Sequence, residues 1–106
     1  KIVYTVPGKG TFVCDKDGKN VLELGYLNAP QWINNDWIVG MNDLDDGDRI
    51  IESDIMAMHI QSGKKYNLTN EDTSIALYPH ASGDGNKIVY HTLDGQVFLL
   101  TISTMD

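Results

Sequence analysis

"APQWINNDWIVGM" at residues 29–41, an acidic stretch, and "SDIMAMHIQSGKKYNL" at residues 53–68 read as four short strands in succession. Pro30 opens the first, at the strand position where its missing donor does least harm. Asn34-Asn35-Asp36 makes a turn, and residues 37–41 are apolar throughout, as a strand covered on both faces would be. Residues 42–54 read as a long loop carrying Asp43, Asp45, Asp46, Asp48, Asp54 and Glu52. Residues 54–60 and 64–68, joined by Gln61-Ser62-Gly63, form a hairpin.

Parts of this unit recur on both sides. With the strands lettered a to d, the first third supplies b ("KIVYTV", residues 1–6), c ("TFVC", 11–14) and d ("VLEL", 21–24). These are separated by Pro7-Gly8-Lys9-Gly10 and by a turn containing Asp17-Gly18. The last third supplies a ("ALYPHA", 76–81), b ("KIVYHT", 87–92) and c ("QVFLLTI", 96–102). Ile2-Val3-Tyr4 aligns with Ile38-Val39-Gly40 and with Ile88-Val89-Tyr90, and Pro30 aligns with Pro79. No segment sustains a helical period. Four antiparallel strands recurring about every 40 to 45 residues are the period of a β-propeller blade.

On those residues a resemblance can be stated. "PQWINNDWIVGM", "YPHASGDGNKIVYHT" with "DGQVFLLTI", and "SGKKYNLT" resemble the TolB-like propeller repeat over nearly the whole chain. The turn of the middle unit lacks the repeat's proline and glycine, and His80 stands in place of its tryptophan. The resemblance implies an all-β chain of four-stranded antiparallel blades in an incomplete ring. Residues 1–28 would form a partial blade (b-c-d), 29–74 a complete blade with an acidic insertion at 42–54, and 75–106 a partial blade (a-b-c).

An isolated stack of such blades leaves two apolar faces in water. If each exposed roughly 400 Å² at about 25 cal/mol per Å², the cost would be on the order of 10 kcal/mol apiece. Whole domains are stable by only about 5 to 15 kcal/mol. The chain is therefore expected to be a piece of a larger propeller, with self-association through the exposed blade faces. It begins at Lys1 without Met or a signal-peptide pattern, which fits a trimmed or processed product.

The 106 residues are 42% hydrophobic, enough for a core, with 15 acidic and 8 basic residues and a net charge of -7. That charge repels a phosphate backbone and an anionic membrane surface, and no apolar run approaches the roughly 20 residues a spanning helix needs, so neither nucleic acid nor membrane insertion is expected. Cys14, the only cysteine, lies in an apolar run and reads as a buried, inert thiol.

The acidic stretch is the one local concentration of hard-metal ligands, yet it fits no calcium loop. With Gly47 at the glycine position, Leu44 and Ser53 fall where the third and twelfth ligands should be. His59, His80 and His91 lack zinc spacing, and no Gly-x-Ser-x-Gly elbow occurs. No metal, cofactor or catalytic residue is expected. Trp32 and Trp37 read as packing residues, and Asn67-Leu68-Thr69 as a coincidental sequon.

The resemblance implies a non-enzymatic interaction scaffold of the bacterial cell envelope, periplasmic or otherwise extracytoplasmic. Its partners would be other proteins, met by an acidic patch of Asp43, Asp45, Asp46 and Asp48. The alternatives it leaves open are the gating propeller of a prolyl-oligopeptidase-like hydrolase and a calcium- or carbohydrate-binding propeller.

Overall fold

The computed structural model describes residues 1–69 and 74–102, and these contain ten strands and no helix. Three antiparallel sheets follow one another along the chain. The first orders β1 (Ile2–Val6), β2 (Gly10–Cys14) and β3 (Leu22–Gly25). The middle one orders β4 (Asn28–Trp32), β5 (Trp37–Asp45), β6 (Ile50–His59) and β7 (Lys65–Asn67). The last orders β8 (Ala76–Ala81), β9 (Lys87–Thr92) and β10 (Val97–Thr101). Successive strands pair with their neighbours in chain order, as short turns between them require. The strand predictions in the first and last thirds therefore hold.

Alternation along β5 and β6 sorts the core into two layers. Trp37, Val39, Met41, Ile55 and Ala57 form one face, packed with Ala76, Leu77, Ile88 and Tyr90 of the last sheet. Ile38 and Met58 lie on the other face, packed with Val13 and Leu24 of the first sheet and with Leu27. All five residues of "WIVGM" are buried, so the reading of a strand covered on both sides is correct. Trp37 is core, and Trp32 packs half-buried at the margin of the first-sheet layer. Cys14 is a buried free thiol.

Polar contacts fix how the sheets sit. The Leu27 carbonyl, just before β4, accepts hydroxyls from Thr11 and Thr5, and so ties the first sheet to the start of the middle one. Across the other interface the Tyr78 N–H reaches Met41 Sδ at 3.5 Å. That N–H is free to do so because β8 bulges between Leu77 and His80.

Pro30 differs from expectation: it is the third residue of β4 and does not open its strand, whereas Pro79, the fourth residue of β8, lies inside its strand as expected. Each strand shifts register at its proline, between Asn28 and Gln31 and between Leu77 and His80. A residue without an N–H cannot continue a ladder, and a bulge absorbs it. The residue before each proline, Ala29 and Tyr78, takes positive φ (48° and 49°), which is uncommon for a side chain with Cβ.

The acidic stretch is also not a loop. β5 and β6 continue their pairing through Asn42↔Asp54, Asp43↔Ser53 and Leu44↔Glu52 to Asp45↔Ile50, leaving only a short tip. The polar link expected at residues 70–74 lies, but for Ser74, outside the described residues, as do residues 103–106.

Gly40 lies where β5 runs closest to the chain entering β4. A Cβ there would lie 2.5 Å from Leu27 Cγ and 2.8 Å from the Asn28 carbonyl oxygen. Gly40→Ala is expected to destabilise the fold by about 1 to 3 kcal/mol in denaturant melts, the usual cost of overpacking. Gly83→Ala, at a turn glycine with open space around it, should stay within about 0.5 kcal/mol of the parent. Equal melts for the two variants would mean that Leu27 and Asn28 do not pack on β5 at this distance.

Candidate functional site

The outer half of the β5–β6 hairpin forms an acidic arm. Residues 44–49 are all exposed, and between positions 42 and 54 the chain carries six carboxylates against one arginine. The β ladder makes this arm a continuation of the most buried strands in the molecule. Its position is therefore set by the core.

The four aspartates expected to act as one patch have different jobs. Asp43 is half-buried at the root of the arm, where its Oδ1 accepts the Asn28 side-chain amide at 2.9 Å. The same amide nitrogen donates to the Tyr26 hydroxyl at 2.8 Å. Asp45 accepts the Gly47 N–H at 3.0 Å. Asp46 closes the tip, its Oδ1 accepting the Asp48 and Arg49 N–H groups at 3.0 Å each. Those two backbone donors hold the Asp46 carboxyl below the usual aspartate range, since they bind the charged form better. Asp48 is exposed in the turn itself.

Tyr26 belongs to the site and was missed from sequence, as was Asn28. Partial burial pushes the Tyr26 phenol above its ordinary value, and the negative charges of Asp43 and Asp45 push it further. The phenol is thus held in its hydroxyl form near the carboxylates of Asp43 and Asp45. The only signal in the sequence was a tyrosine two residues before an asparagine at the entry to β4, in what reads as a linker. Leu44 and Ile51 were missed too. Both are exposed on the arm, so it presents apolar surface among its charges.

The remaining candidates are built into the scaffold. Among the described residues, no group of three or more His, Cys, Asp or Glu side chains stands where it could hold a metal ion. His59 Nδ1 lies 2.9 Å from Ser62 Oγ, but it also accepts the Ser62 backbone N–H, and its ring meets Trp37 edge-on at 5.1 Å. This is the closure of a tight turn. His91 stacks on Tyr78 at 5.7 Å.

In the sequon, the Thr69 hydroxyl donates to Asp54 Oδ1 and accepts the Ile55 N–H. Asn67 Oδ1 accepts the Thr69 N–H. The motif serves as a latch from β7 onto β6. An open cleft of about 630 Å³ runs between the turn at Trp32, Ile33 and Asn34 and the turn at Ala81 and Ser82, with Lys1 on its wall.

Compared with known proteins, no family model, no curated protein and no solved structure matches the chain.

The Tyr26 environment can be read by titrating tyrosinate absorbance against a Tyr26→Phe reference. Tyr26 is expected to ionise above an ordinary tyrosine, because burial disfavours its anion and that anion would also face two carboxylates. In Asp43→Asn/Asp45→Asn its midpoint should move down. An unchanged midpoint would separate the phenol from the acidic arm.

Proposed function

We propose that the chain is a non-enzymatic protein-binding module, that its sheets are propeller-type blades of the TolB-like kind, and that the acidic arm receives a basic partner surface. The blade reading is supported by the middle sheet, with four antiparallel strands in chain order and a neighbouring sheet on each face. It is supported again by the matching proline bulges of β4 and β8. An extracytoplasmic, cell-envelope setting accompanies the TolB-like resemblance and rests on it.

One observation carries the binding role: a β-hairpin rooted in the core projects carboxylates together with exposed Leu44 and Ile51. Charge of one sign on a fixed arm steers an oppositely charged partner and sets its orientation. The apolar side chains supply contact area that charge alone does not. The arm needs no rearrangement to bind, since its tip is already closed by Asp46.

A fluorescein-labelled peptide of alternating lysine and leucine serves as the probe, with anisotropy as the readout. Binding that weakens with added salt is expected. Asp45→Asn/Asp48→Asn should weaken it up to about tenfold, the scale of two exposed charge contacts. Leu44→Ser should weaken it independently, and Asp17→Asn, on a distant turn, should not. Absence of binding at low salt, or equal effects of the arm and distant variants, would overturn the assignment.

A further inference from the structure

The cross-strand pairs of the three sheets coincide once the sheets are aligned through their repeated Ile-Val. Val3 faces Val13, Val39 faces Ala57, and Val89 faces Leu99. In the first sheet this pair looks toward the middle sheet, with Val13 buried and Val3 packed against the same cluster. In the middle sheet it looks toward the last sheet and is fully buried. In the last sheet the equivalent pair looks outward. Val89 is 36% exposed and Leu99 61%, with Val97 beside them at 71% and the stacked Tyr78 and His91 rings adjoining.

The opposite sides match as well. Tyr90 and Phe98 are cross-strand partners stacked at 5.5 Å and 22°, and Tyr90 is buried against the middle sheet. Tyr4 and Phe12 occupy the same places in the first sheet and stack at 5.6 Å and 23°. Strand alternation turns that pair away from the middle sheet, together with Ile2, which is exposed. One end of the chain thus repeats the surface that receives a sheet, and the other repeats the surface that is received.

We propose that the outward face of the last sheet binds the outward face of the first sheet of a second copy, so that copies stack head to tail in the order the sheets follow within one chain. The occupant is argued from the repeat, because each end carries the partner of a contact already made inside the molecule. The charges at the two margins also complement each other, with Glu23 across from Phe12 on one face and Lys87 on the strand of Val89 on the other. Such a contact is heterologous: two different patches meet, and association continues until a ring closes or a filament grows. The inference does not depend on the acidic arm.

The test is the mass of the 106-residue chain in solution across a concentration series. The parent should exceed its 11.8 kDa chain mass as concentration rises. Val97→Asp/Leu99→Asp blocks one end, and Ile2→Asp blocks the other. All three positions are exposed, and circular dichroism verifies that each variant folds. Tyr4→Asp is the second variant of the first-sheet end. Each blocked variant alone should stay at the single-chain mass. An equimolar mixture of the two should form a one-to-one complex and nothing larger, because one intact contact remains. A parent that stays monomeric, a blocked variant that still self-associates, or a mixture that stays monomeric would overturn the proposal.

Discussion

The inner half of the β5–β6 pair has no face left for water, and that constraint orders the rest of the molecule. Trp37, Val39, Met41, Ile55 and Ala57 on one side and Ile38 and Met58 on the other are all buried, with a different neighbouring sheet on each side. A two-sided apolar strand pair cannot be stabilised by its own hairpin, since a hairpin covers neither face. The first and last sheets are therefore part of the core of the middle one. The threonine hydroxyls on the Leu27 carbonyl follow from bringing the first sheet into contact with the middle one, and Gly40 leaves room for Leu27 and Asn28 beside them.

The acidic arm grows from the same strands. A stretch dense in aspartate has poor intrinsic preference for a sheet. Its pairing with the opposite strand extends a ladder already fixed at Val39↔Ala57, so each further pair continues a register that is set. The polar side chains face water on an exposed ribbon. The tip is held by Asp46 accepting two backbone donors, which substitutes local hydrogen bonds for the packing that is missing there. Core and candidate site are then one continuous element, buried at one end and charged at the other.

Much of this was legible in the sequence. The apolar run at Trp37 announced a strand covered on both sides, the repeated Ile-Val-Tyr announced equivalent strands, and Asp-Gly turns marked the hairpins. The extension of β5 and β6 was not legible, because composition at residues 42–54 argued for a loop while tertiary register decided otherwise. The β-branched pair Ile50-Ile51 was the faint sign of it. The bulge at Pro30 was missed because proline's lack of a donor suggests a strand start as readily as a kink, and the one at Pro79, read inside its strand, because a register shift leaves no mark in composition. The involvement of Tyr26 and Asn28 with Asp43 depends on contacts across 15 or more positions, which spacing alone does not reveal.

Amide hydrogen exchange across a denaturant series tests most directly whether the middle sheet is the shared core. Ile38, Val39, Ala57 and Met58 should exchange only through global unfolding, with the denaturant dependence of the whole chain, while amides of the first and last sheets open by smaller, local steps. Exchange at those four positions through local opening, as fast as in the end sheets, would contradict the account.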